Sequence, residues 1–393
     1  MLNKAKALQE ELVRLRRDIH AHPELGFQEF RTAALVADTL RELGISVKTG
    51  VGKTGVIGEI GSGDGPTIAI RADMDALPIL QNNDADYCST NDGIMHACGH
   101  DAHTAILLGV AHLLRQSAAT EKWQGNVRLL FQPSEEMSDE NGVSGAPAMI
   151  TDGALEGVDA VIALHVMSAY PAGKIYLQDG YSLANSDAFE AWIYGDGGHG
   201  AYPHAGSDPV HILSQVLNQI YAIPSRQINA QRPCVISIGE IRGGAASNVI
   251  PNQIYIQGTM RSYHDDIRDQ LGVELENAFR ISELMGGSYK LDIHRGYPAL
   301  FNTAEVNGWM RDVTRDLVGE SEIVDAEFGM GAEDFSYMAQ EAKGAMFMLG
   351  AAIDDEIVRN HHTDIFDINE GVMPIGAAVL AETARRFVTG QIG

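Results

Sequence analysis

Short apolar runs of strand length, each separated from the next by a helical pattern, constrain this 393-residue chain more than any other feature. Residues 67–72 are apolar from Ile68 to Ile70 and read as a central strand buried on both faces. Val127, Leu129 and Phe131 alternate within residues 126–131, while 160–164 and 345–349 are continuous apolar runs. Between them, residues 101–114 place Ile106, Leu107, Val110, Leu113 and Leu114 at helical spacing, and a short helix is expected near 146–151. Further helices are expected over 3–20, through Leu8, Leu12, Leu15 and Ile19, and over 29–43, where Gly44 suits a left-handed cap. Helices alternating with buried strands specify an α/β fold with a mostly parallel sheet covered by helices. On such sheets, sites form beyond the carboxyl ends of the strands.

The rhythm changes between residues 185 and 294. Phe189, Ala191 and Ile193 alternate as a strand, 209–223 is helical, 234–241 and 253–260 alternate again, 265–285 reads as one long amphipathic helix, and 288–294 is a last strand. That order, β-α-β-β-α-β, is that of a ferredoxin-like α+β unit. The expected organisation is a discontinuous first domain, 1–184 and 295–393, with 185–294 inserted. Helices over 306–317 and 371–388 return the chain to the first domain.

Charge and cysteine content exclude several function classes. Twenty-eight basic residues against 53 acidic ones give a formal charge of -25, which disfavours nucleic acid and anionic membranes as partners. The N-terminus leads into a polar helix, and no apolar run approaches the ~18 residues of a membrane span. Three scattered cysteines, Cys88, Cys98 and Cys234, fit a reducing compartment rather than a disulfide framework. A cytoplasmic protein is expected.

Candidate chemistry concentrates at the strand ends. Residues 96–103 pack one thiol, three imidazoles and a carboxylate (Asp101) onto the threshold of an apolar helix. Cys98 and His100, one small residue apart, can face one centre, and a thiolate with an imidazole suits zinc, cobalt, nickel or manganese. Glu135 and Glu136 follow the strand that ends near Phe131. Of two neighbouring carboxylates, one can bind metal while the other holds the attacking water. His165 ends the apolar run 160–164, His361 and His362 follow the run 345–349, and Asp73 and Asp75 lie where the 67–72 strand ends, as turn residues or as carboxylates that orient a ligand histidine.

Seven motifs together resemble one family over nearly the whole chain: 20–24, 71–78, 96–101, 132–136, 198–204, 248–251 and 331–335. The chain is similar to the aminoacylase and carboxypeptidase family of dinuclear metallohydrolases, most closely the branch of hippurate hydrolases, bacterial N-acyl-amino-acid amidohydrolases and plant indole-acetyl-amino-acid hydrolases. The resemblance implies two divalent metal ions per subunit, with Cys98, His100, Glu136, His165 and His362 as ligands, Cys98 bridging, and Glu135 as general base. It implies that His199 reaches from a lid domain toward the scissile carbonyl, with His204 shaping that loop. Arg261 would hold the α-carboxylate of a small N-acyl amino acid, Asn248 would bond the same carboxylate or the scissile carbonyl, and the inserted domain would pair two subunits as a homodimer. A dipeptidase, carboxypeptidase or desuccinylase on the same scaffold, or an inactive binding homologue, are the rival expectations; Glu135 disfavours the last.

Overall fold

The 67–72 run forms the strand Thr67–Asp73, buried at every residue, in the computed structural model of the chain, which describes residues 1–61 and 63–393. It lies between Asn126–Gln132 and Ala160–Met167, parallel to both, and Lys343–Gly350 extends the parallel core beyond Ala160–Met167. Antiparallel strands close the sheet on either side. Gly55–Gly61 pairs with Asn126–Gln132 and carries Ser46–Val51 at one edge; Ile175–Leu177 pairs with Lys343–Gly350 and carries Ile323–Asp325, parallel to it, at the other. The eight-stranded sheet is therefore parallel at its centre and mixed at its margins. The four central strands run the same way, so Asp73, Gln132, Met167 and Gly350 end on one side of the sheet. Every motif that follows those ends is delivered there.

Helices supply the other half of this core. The helix His100–Ala118 buries fifteen of its residues, against the helices Gln9–Ala21 and Met373–Val388. Leu12 and Leu15, then Ile106, Leu107 and Val110, then Val379 and Leu380 make one continuous apolar cluster. Each such side chain contributes on the order of 1.5–3 kcal/mol of transfer energy. A helix buried this completely fixes its first turn firmly, and that turn begins at His100.

The chain divides into two compact units, residues 1–180, 301–327 and 334–393 in the first and 181–300 with 328–333 in the second. The second holds a four-stranded antiparallel sheet in the order Cys234–Gly243, Gln253–Ser262, Asn185–Tyr194, Ser288–Arg295. Helices Pro209–Arg226 and Asp265–Phe279 contribute Ile212, Val216, Ile220, Leu271 and Leu275, which pack with Phe189, Ala191 and Ile193 from the central strand. This is the ferredoxin-like order expected from the pattern.

Two helices differ from expectation. The 3–20 segment is two helices, Leu2–Lys6 and Gln9–Ala21, because the Leu8 amide bonds Ala5 in a tightened turn. The 265–285 segment breaks at Arg280, whose carbonyl accepts from Glu283, so Ile281–Leu284 is a separate turn. Ser46–Val51, Ile175–Leu177 and Ile323–Asp325 were not expected as strands: the first is mostly exposed and the others are three residues long, too short to show a period. Among the described residues no helix is long and apolar enough to cross a membrane.

Candidate metal centre and active site

In the first unit Cys98, His100 and His165 offer ligand atoms within 4.8 Å of one another, and so do Cys98, Glu136 and His362. Cys98 belongs to both groups. Its Sγ lies 3.5 Å from His165 Nε2. Gly99, at φ 95°, makes the turn into the buried helix, and a Cβ there would come within 2.3 Å of Val166 Cγ2; only glycine lets Cys98 and His100 approach one centre. From the far end of the chain, His362 takes a left-handed backbone (φ 60°), and its amide donates to the Ala97 carbonyl at 2.8 Å.

Hydrogen bonds settle which imidazole nitrogens are available. His165 Nδ1–H donates to the Val166 carbonyl at 2.8 Å, which leaves the Nε2 lone pair facing Cys98. His100 Nδ1–H donates to the Asp75 carbonyl at 2.9 Å, and its buried Nε2 has no hydrogen-bond partner. That nitrogen is 3.6 Å from Asp73 and 3.8 Å from Glu136, beyond bonding reach of either. A buried lone pair with no donor to accept fits a cation. His103 does not: its Nδ1–H donates to Asp73 at 2.6 Å and its Nε2 accepts the Val166 amide at 2.9 Å, so both nitrogens are used. His361, the neighbour of the expected ligand His362, donates from Nε2 to the Val166 carbonyl at 2.9 Å. The backbone N–H and C=O of one residue, Val166, thus orient three imidazoles.

The carboxylates are held as tightly. Asp75 accepts the amides of Glu135 and Glu136, each at 3.0 Å, on its two oxygens. Glu135 also lies within the same 4.8 Å reach of His100 and Glu136. Asp73 receives Arg71 at 2.6 Å, and Arg71 continues to Gln132 at 2.8 Å and Asp334 at 3.0 Å. Asp101 bonds Arg16 and His20, both at 2.8 Å, on the helix Gln9–Ala21, and none of the candidate ligands. Arg71, Gln132, Asp334, His103 and Arg16 had no assigned role in the sequence; Arg71, Gln132 and Asp334 sit in the motifs 71–78, 132–136 and 331–335 and His103 in the cluster 96–103, whereas Arg16 carried no signal.

Electrostatically the cluster calls for positive charge. Burial works against a charged His100, yet the carboxylates of Asp73, Asp75 and Glu136 outweigh it and push its pKa up to about 10. Burial, then the charges of Glu136 and Glu135, push the Cys98 thiol well up. Burial and the surrounding imidazoles hold His165 neutral. A divalent cation would relieve each of these, displacing protons from Cys98 and His100.

The remaining expected residues lie in the second unit. Gly198–His199 pairs antiparallel with Val249–Ile250, and the Gly200 amide donates to the Asn248 carbonyl at 2.8 Å. The Ala201 amide donates to His199 Nδ1 at 3.0 Å, which places the ring proton on the exposed Nε2. His204 occupies the turn Pro203–Ala205 beside Tyr202. Arg261 is near the end of Gln253–Ser262, half-buried, with Nη1 buried and unbonded. Burial lowers its pKa, as expected for a guanidinium short of a counter-ion. Asp187, the acid whose charge acts on it, is already bound by Arg268 at 2.9 Å.

Known proteins share this architecture along its whole length. The chain is 39% identical over 390 residues to thermostable carboxypeptidase 1 of Saccharolobus solfataricus, covering 98% of this chain and 97% of that one. It is 36% identical over 386 residues to N-acetyl-L-cysteine deacetylase of Bacillus subtilis, covering 97% and 89%. The crystal structure of the Bacillus subtilis YXEP protein, described as a dinuclear metal binding peptidase, superposes with a TM-score of 0.83 at 32% identity over 98% and 99% of the two chains. Residues 69–386 match the model of peptidase family M20/M25/M40, and the chain belongs to that family.

Proposed function

We propose that this protein is a metal-dependent amidohydrolase that cleaves the amide of N-acyl-L-amino acids, releasing a carboxylic acid and a free amino acid. One observation carries the reading: two donor groups share Cys98, with the carboxylate of Glu135 beside them. Cys98, His100, Glu136, His165 and His362 would hold two divalent cations, Cys98 common to both. When bound, such a pair lowers the pKa of a water and polarises the amide carbonyl. Glu135 accepts the water's proton and returns it to the leaving nitrogen. Asp75 keeps the Glu135 and Glu136 amides in place, and Asp73 fixes His103. His199, with its proton on Nε2, donates to the developing oxyanion, in its own or a partner's site. Removing such a donor costs about 3 kcal/mol in other enzymes. Arg261 and Asn248 take the α-carboxylate.

The relative named as a deacetylase of N-acetyl-L-cysteine supports an N-acyl amino acid as substrate; the relative named as a carboxypeptidase favours a peptide instead. A panel of hippurate, N-acetyl-amino acids and dipeptides separates the two. Glu135→Gln is expected to abolish turnover while two metal ions per chain are retained, and Cys98→Ala or His362→Ala to lose metal. Full activity of Glu135→Gln rules out the mechanism.

Assembly and location complete the proposal. The edge strand Cys234–Gly243 exposes Val235 and Ile241 beside unpaired backbone groups, a surface suited to pairing with a second copy. A homodimer is expected by light scattering. Three free cysteines accord with the cytoplasm.

A further inference from the structure

Ser134, the residue before Glu135, has a left-handed backbone with φ 45°. A residue with a Cβ keeps that conformation only where its surroundings over-determine it. Here they do. The Ser134 carbonyl accepts from Gly145 at 2.9 Å, its hydroxyl donates to the Met137 carbonyl at 2.8 Å, and its amide donates to Glu29 at 2.8 Å. Gly26 lies flat against it, since a Cβ there would come within 2.3 Å of Ser134 Oγ.

Glu29 is the contact that the mechanism above does not use. It is completely buried, 105 residues away in sequence, and absent from every group among the described residues that could hold a metal. The oxygen that takes the Ser134 amide also takes the amide of Phe27, itself left-handed at φ 59°, at 3.0 Å. The other oxygen accepts the Thr54 hydroxyl at 2.5 Å. Asp75 holds the next two amides, so three consecutive N–H groups, 134 to 136, run onto two buried carboxylates. Burial, then the nearby Asp75 charge, raises the Glu29 pKa to about 7. An apolar residue would avoid that burial penalty but could not accept these bonds.

We infer that Glu29 is a positioning residue for the reaction: by anchoring the Ser134 amide it keeps the strained turn that aims the Glu135 carboxylate. Its bonds go to Phe27, Thr54 and Ser134 and to none of the candidate metal donors, and the inference rests on Glu135 being the general base. The test compares Glu29→Ala, Glu29→Gln and Thr54→Val with wild type as folded, metal-loaded protein. Turnover of an N-acetyl amino acid, metal stoichiometry, the absorption spectrum of the cobalt-loaded enzyme and a crystal structure are measured. Glu29→Ala should lower kcat at least tenfold and change KM less than threefold. It should keep two ions and an unchanged cobalt spectrum, and show Ser134 relaxed out of positive φ with the Glu135 carboxylate displaced. Glu29→Gln should recover kcat to within threefold, because its amide oxygen still accepts both backbone N–H groups while its NH2 donates to Thr54. Should Glu29→Ala not fold, Thr54→Val, which only unfastens the Glu29 carboxylate, should lower kcat about threefold at constant KM; an unchanged kcat there overturns the inference. Wild-type kcat in Glu29→Ala with only a lower Tm overturns it, and so does a loss of metal. Glu135→Gln run alongside distinguishes the failures: if that variant is fully active the general-base reading falls, whereas if it is inactive and Glu29→Ala is normal only the role of Glu29 falls.

Discussion

Arg261 is the residue on which the proposed substrate class can be tested. Its half-buried guanidinium has one nitrogen with no partner, and Asp187 is committed to Arg268. A planar guanidinium binds a carboxylate through two parallel bonds that an ammonium cannot reproduce. Arg261→Ala should therefore lower kcat/KM for a free-acid substrate about tenfold or more, equivalent to at least ~1.4 kcal/mol, and Arg261→Lys should not restore it. Initial rates on an N-acyl amino acid and its α-amide provide the check: wild type should prefer the acid and the alanine variant should not. Equal wild-type rates on both would remove carboxylate recognition from the reading. At this scale the sequence was informative where chemistry follows a strand end. Glu135, Glu136, His165 and His362 were singled out there, Cys98 and His100 at the threshold of a helix, and in the structure the six offer ligand atoms to overlapping groups. Glu29 and Arg16 could not be found that way. A buried charge is defined by its partners, and those of Glu29 and Arg16 include residues 105 and 351 positions away.

The helix Gln9–Ala21 illustrates the same point for an element. Its apolar stripe was legible, but not that Arg16, on the buried side, is fully enclosed. Arg16 bonds Asp101 at 2.8 Å, Asp367 at 2.8 Å and Glu370 at 3.1 Å, with Tyr87 stacked over it. It ties this helix to the first turn of His100–Ala118 and to the start of the C-terminal helix. Arg16→Met would keep most of the apolar stem and leave Asp101 buried without its main counter-charge, at a cost of about 3–5 kcal/mol. The cost should depend on pH. Burial alone would raise the Asp101 carboxyl, but Arg16 and then His20 overcome it and hold it well below the usual carboxylate range. A depressed folded pKa contributes stability that is complete above the unfolded value of about 3.9 and is lost as pH falls below it. Without Arg16 the sign reverses, burial then favouring the neutral acid, so stability falls as pH rises above about 4. Denaturant titrations should show the gap between wild type and Arg16→Met widening from pH 4 to pH 7. A constant gap would mean that Asp101 does not depend on Arg16.

Across the whole molecule, a net charge of -25 would face the proposed anionic substrate. The proposed site offsets much of its own charge: Arg71 and the cations the cluster calls for stand against Cys98, Asp73, Asp75, Glu135, Glu136 and Asp334, so the long-range field is set largely by the rest of the surface. Arg261 acts only over a few ångströms. Two opposite salt effects are therefore conceivable, and the range of each decides between them. The Debye length is about 30 Å at 0.01 M and about 8 Å at 0.15 M ionic strength, so added salt removes the distant repulsion first and leaves a half-buried ion pair nearly intact. For a protein of this charge the repulsion relieved between about 0.02 and 0.3 M is on the order of 1 kcal/mol, enough to raise kcat/KM for a free-acid substrate about fivefold. The α-amide of the same substrate is uncharged and should show no slope, and kcat should not change for either. Steady-state rates across a sodium chloride series, with metal content checked at each concentration, measure this directly. A fall in kcat/KM for the acid with added salt would show instead that a positive local field reaches well beyond contact distance, with basic residues, Arg261 among them, steering the substrate rather than only gripping it.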